Sequence, residues 1–168
     1  MTFYRRRLLG LPALVLLMPF AGCSSADGGS AVAVPSPGPG TAGLCRNLDE
    51  ALPAEVDGAG RADPEPRSAL TAAWGGSAII LRCGVDRPSK MTDPKVAEGG
   101  DRDAVAGGVN GVDWLMERRD DGSYRFTTAN RRAYVQVSVT EDRAGDSSAV
   151  LVQLAPAIKK AIPEGIAD

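Results

Sequence analysis

Val112-Asp113-Trp114-Leu115-Met116-Glu117-Arg118-Arg119 runs into Asp120-Asp121-Gly122 and returns through Ser123-Tyr124-Arg125-Phe126-Thr127-Thr128. Two strands joined by a short acidic loop ending in glycine make a β-hairpin, and the loop length decides which side chains share a face. A two-residue loop sets Trp114 and Met116 opposite Ala129 and Thr127. A three-residue loop, with Gly122 left-handed, sets Met116 opposite Phe126 and Arg118 opposite Tyr124. The second register gathers Trp114, Met116, Tyr124 and Phe126 on one face. Buried apolar area favours it, since a slip of one residue turns every side chain over. Asn110-Gly111, just before the hairpin, is a tight-turn signal of its own.

The neighbouring segments extend this sheet. Residues 132–140 alternate, with Ala133, Val135, Val137 and Val139 toward the core and Tyr134, Gln136, Ser138 and Thr140 away. Residues 77–83 are nearly all apolar and read as a central strand buried on both faces. In residues 147–162, Val150, Leu154, Ile158 and Ile162 recur every four positions as a helix stripe. Pro156 interrupts that stripe and predicts a kink or two short helices. Residues 45–51, ended by Pro53, and 67–74, between Pro66 and Gly75-Gly76, read as short helices. Residues 86–108 are rich in Gly, Asp and Pro and read as a long loop. The expected fold is α+β, with a mainly antiparallel sheet of about four strands. Short N-terminal helices and a C-terminal helix would pack on one face of it.

The N-terminus has the order of an export signal. Arg5, Arg6 and Arg7 precede an apolar run over residues 8–20, and Ala21-Gly22 then lead to Cys23. The run is roughly 20 Å long as helix, short of the roughly 30 Å needed to span a bilayer. The arrangement matches lipoprotein processing, with Cys23 as the lipid-attachment residue. Expected boundaries are a signal peptide at 1–22, a lipidated flexible linker at 23–44 and one globular domain at 45–168. The expected location is the outer face of the cytoplasmic membrane, or the secreted fraction if Cys23 is not lipidated. Arg5-Arg6 leaves general and twin-arginine export both open. Cys45 and Cys83 remain, and an even pair in an oxidising compartment reads as a disulfide.

Removing the leader takes three arginines and leaves sixteen basic against twenty-one acidic residues, a net charge of −5. An acidic surface argues against nucleic acid as a partner. The chain has no histidine. This excludes Ser-His-Asp and Cys-His hydrolases and His-ligated metal sites. No lysine follows a serine at Ser-x-x-Lys spacing, and no Walker-type phosphate loop occurs. Asp101-Arg102-Asp103 lacks the later ligands of a calcium loop. No catalytic residue, cofactor or metal site is expected.

Trp74-Gly75, residues 79–85 with Pro88, residues 109–115, Phe126-Thr127-Thr128 with Arg131, and Tyr134-Val135 with Val137 form a combined pattern. It resembles a family of small actinobacterial lipoproteins and secreted proteins known as domain of unknown function 3515. The likeness covers most of residues 45–162, least well between 90 and 105. It implies an envelope setting and carries no assigned activity.

Trp114 reads either as a stacking platform or as a core anchor, the commoner fate. Trp74 has the same two readings. Arg82, inside an apolar strand, would bind an anion or pair with a buried carboxylate. Arg118, Arg119, Arg125, Arg131 and Arg132 cluster around one hairpin. They form either a basic patch for phosphate or an acidic partner, or a solvated strand face. The candidate ligand or partner surface is therefore Trp114, Arg118, Arg125 and Arg131. The leading expectation is a non-enzymatic, membrane-anchored binding or accessory module for a cell-wall component or envelope protein. The alternative is a small hydrolase or transferase that acts on cell-wall material through carboxylates alone. A third is a structural subunit of a membrane complex.

Overall fold

The structure is a computed structural model and describes residues 31–167. The expected signal peptide, Cys23 and the first part of the expected linker lie outside the described residues. The elements are α1 (Pro39–Ala51), β1 (Glu55–Val56), β2 (Ala59–Ala62), β3 (Thr71–Trp74), β4 (Ile79–Cys83), α2 (Pro94–Ala97), β5 (Ala104–Val109), β6 (Val112–Arg118), β7 (Tyr124–Ala129), β8 (Val135–Val139) and α3 (Ser147–Ala161). They build one antiparallel sheet of eight strands in the order β1-β2-β3-β4-β8-β7-β6-β5.

The hairpin adopts the three-residue loop. Met116 pairs with Phe126 and Arg118 with Tyr124, and Gly122 is left-handed at φ +78°. Trp114 and Phe126 are buried, and Met116 and Tyr124 pack against the same core. Asn110 and Gly111, both at positive φ, turn β5 into β6. Ala133, Val135, Val137 and Val139 are wholly buried.

The four strands expected from the sequence are β4, β8, β7 and β6, which lie side by side at the centre of the sheet. The count of about four is corrected by additions at both edges. Residues 67–74, expected as a helix, end instead in strand β3, every residue of which is buried. Burial between β2 and β4 outweighs the helix propensity of its alanines. The expected loop at 86–108 contains a 3-10 turn (Ser89–Thr92), α2 and β5. Strand β5 reads Ala-Val-Ala-Gly-Gly-Val, and its glycines erase the side-chain alternation that marks a strand.

The linker expected to reach residue 44 is also corrected. Helix α1 begins at Pro39, where proline suits a first helical position. Before it, Val32 N–H donates to the Glu65 carbonyl (2.8 Å), and Val32 and Pro35 are buried. Pro37 crosses directly over Gly84. A Cβ at Gly84 would meet the Pro37 ring at 2.6 Å, and Gly84 is at φ +81°, so glycine alone fits there.

Helices α1 and α3 cover one face of the sheet. Cys45 and Leu48 of α1, with Val150, Leu154 and Ile158 of α3, join Trp74, Ile79, Leu81 and the β8 valines in the main core. Helix α3 runs unbroken through Pro156. Proline has no N–H for the Val152 carbonyl four residues earlier. Asn110 Nδ2 donates to that carbonyl instead (3.1 Å), and Lys159 Nζ donates to the Asn110 carbonyl (2.8 Å). The β5–β6 turn thus repairs the helix that covers it. Cys45 and Cys83 form the disulfide, tying α1 to the end of β4.

Candidate functional site

The opposite face of the sheet carries the polar residues. Strand alternation and register set Leu115, Thr127, Gln136 and Arg82 in one row across β6, β7, β8 and β4. In the next row Glu117 faces Arg125, and Arg125 faces Ser138. Thr127 is wholly buried and Gln136 is 8% exposed. The Thr127 Oγ1, Arg125 Nε and Glu117 Oε2 atoms are buried without hydrogen-bond partners. A row of unsatisfied polar atoms inside a fold costs stability and commonly marks a place shaped for something else.

Beside this row lies a cleft of about 320 Å³, lined by Arg82, Arg125, Gln136 and the turn that carries Asp86 and Arg87. Pro35 closes one side. Arg82 Nε donates to the Ala33 carbonyl (2.9 Å), and Arg82 also reaches Gln136 Oε1 (3.4 Å). These bonds hold the guanidinium side-on and leave its remaining amino group facing no acceptor among the described residues. Among those residues, no carboxylate lies within ion-pair distance of Arg82, Arg87 or Arg125, although other basic residues are paired. Of the charged side chains lining the cleft, three are arginines and one, the exposed Asp86, is acidic.

A second cavity of about 390 Å³ shares one lining residue, Arg87, with the first. Its walls include Met91, Val96 and Leu115, which belong to a small apolar cluster between α2 and the sheet. The chain before α2 is held down by an ion pair between Lys90 and Asp101. That hydrogen bond pushes the Asp101 carboxyl below, and the Lys90 ammonium above, their ordinary pKa values. Asp121 is likewise lowered, by the Ser123 hydroxyl and N–H. Both carboxyls move opposite to the direction a general acid needs at neutral pH.

Of the four surface residues expected from the sequence, Arg125 alone lines the arginine cleft. Trp114 is 1% exposed and packs in the helix-side core, and it also lines the second cavity. Trp74 is buried too, and its Nε1 donates to the Pro53 carbonyl (3.1 Å). Arg131 is a strut. It is 5% exposed and donates to the Ile162 and Gly111 carbonyls (3.0 Å each). Arg118 is exposed, but its position in β6 puts it on the sheet face opposite to Arg125. The hairpin arginines therefore do not form one patch, because alternation divides them between faces. Arg87 and Gln136 were not expected at a site. Gln136 follows from the outward alternation of β8, but its meeting with Arg82 depends on β8 lying beside β4.

No curated protein and no solved structure matches the chain. The model of the family described as "Protein of unknown function (DUF3515)" matches residues 8–167, and the chain belongs to that family.

Proposed function

We propose that this protein is a lipid-anchored binding module at the outer face of the cytoplasmic membrane, tethered through Cys23. In this reading the cleft of Arg82, Arg87, Arg125 and Gln136 recognises an anionic group, on a cell-wall component or an envelope protein. The observation that carries it is the set of three guanidiniums on one cleft with no carboxylate at ion-pair distance among the described residues. Arg82 and Arg125 are half-buried and Arg87 is exposed. Glu117, opposite Arg125, is beyond ion-pair distance, and a bidentate oxyanion supplies both charge and matching geometry.

The reading is tested by titrating inorganic phosphate into the chain from Ser24 onward, which retains every described element. Arg82→Gln and Arg125→Gln are each expected to weaken binding about tenfold, the loss for one charge-assisted hydrogen bond. Undiminished binding by the double variant would place any anion site elsewhere.

The anchor has its own test. Cys23→Ser in cells is expected to release the protein from the membrane fraction or to leave it unprocessed. Normal processing with unchanged membrane retention would refute lipidation.

A further inference from the structure

We infer that the occupant of this site is an amphiphile with a phosphate head and an apolar tail, an inference that rests on the anion-binding reading above. Three observations carry it. First, Arg87 lines both the arginine cleft and a second cavity whose walls include Met91, Val96 and Leu115. The row Leu115, Thr127, Gln136, Arg82 runs from one to the other across four adjacent strands. Three strand spacings are about 14 Å, the reach of a medium-length alkyl chain. The wholly buried, unpartnered Thr127 Oγ1 sits inside this row.

Second, the charge pattern suits phosphate better than a carboxylate. Arg82 and Arg125 project from one face of the sheet and Arg87 comes from the turn after β4, so the cleft gathers three guanidiniums. A carboxylate has one edge to offer, whereas a phosphate ester offers three oxygens.

Third, the cavity keeps apolar surface at its rim. Ile166, which lines it, is 88% exposed, and Met91 is half-buried. An alkyl chain lying along Met91, Val96 and Leu115 would cover both. The source of such a ligand lies within reach. Pro35, a wall of the cleft, follows Cys23 by twelve residues. That length spans at most about 40 Å fully extended, so an anchored domain holds the cleft near the headgroups.

The experiment compares dodecyl phosphate, inorganic phosphate and dodecyl maltoside, each below its micelle concentration, by titration calorimetry on the chain from Ser24 onward. Dodecyl phosphate is expected to bind at least tenfold tighter than either of the others, since two buried methylenes already correspond to about tenfold. Ala106 is exposed, lines the second cavity and faces Leu115 on an edge strand. Ala106→Phe should fill the cavity, remove the preference for the dodecyl ester and leave inorganic phosphate binding unchanged. Arg87→Gln should weaken both phosphates.

Equal affinity for inorganic and dodecyl phosphate would overturn the amphiphile and leave the anion site standing. Equal affinity for dodecyl maltoside and dodecyl phosphate would overturn the phosphate head. A preference that survives in a folded Ala106→Phe variant would overturn the assigned tail cavity. No binding of any probe would remove this inference and the anion-binding reading together.

Discussion

Replacing both Cys45 and Cys83 by alanine is expected to lower the unfolding free energy by about 2–5 kcal/mol, with a matching fall in the urea midpoint. The two cysteines are 38 residues apart, and a loop of that size constrains the unfolded chain by roughly 4 kcal/mol in the chain-entropy account. Helix α1 has little else of its own. Its N-cap is Gly38 with no side-chain cap, and no acidic residue offsets the dipole in its first turn. The disulfide therefore fixes to β4 a helix that would be marginal alone. Segment 31–37 leads directly into α1 and carries Pro35 and Pro37 against the cleft and Gly84. Phosphate affinity should fall with stability in the same variant. Equilibrium unfolding with and without a reducing thiol checks the result. A change below about 1 kcal/mol would mean that packing alone holds α1.

Trp114→Ala is expected to cost about 3–5 kcal/mol, the range for removing a buried aromatic side chain. Trp114 is 1% exposed, in the same core as Val112, Phe126 and the α3 stripe. Its Nε1 makes no hydrogen bond, so Trp114→Phe should lose less, giving up ring volume without stranding a partner. Neither change should alter phosphate affinity in the folded fraction. Denaturation with parallel binding measurements separates the roles. Unchanged stability with lost binding would restore the stacking-platform reading.

What was legible in the sequence follows the strength of local patterning. The hairpin register could be chosen because one choice puts Trp114, Met116, Tyr124 and Phe126 together and the other scatters them. The β8 valines and the α3 stripe carry periods of two and about four with few exceptions. Strands β3 and β5 carry no such pattern. Thr-Ala-Ala-Trp is a strand because β2 and β4 complete its ladders, and Ala-Val-Ala-Gly-Gly-Val, at the sheet edge, because β6 does. Pro35 to Gly40 looked like tether for a related reason. Its residues resist regular structure in isolation, yet Pro39 begins a helix and Pro37 fits over a residue that has no side chain.

The sequence by itself determined the two-cysteine pairing, the hairpin, the buried face of β8 and the apolar side of α3. Each rests on contacts between residues near in the chain, save the cysteine pairing, which follows from the expectation that Cys23 carries lipid. The tertiary structure alone decided where β8 goes. By lying between β4 and β7, it brings Arg82 beside Gln136 and near Arg125, both more than forty residues further along the chain. No local pattern encodes that order. It is selected by which arrangement buries the valines of β8 under α1 and α3 while leaving its polar side on the other face. The cleft is a product of that choice.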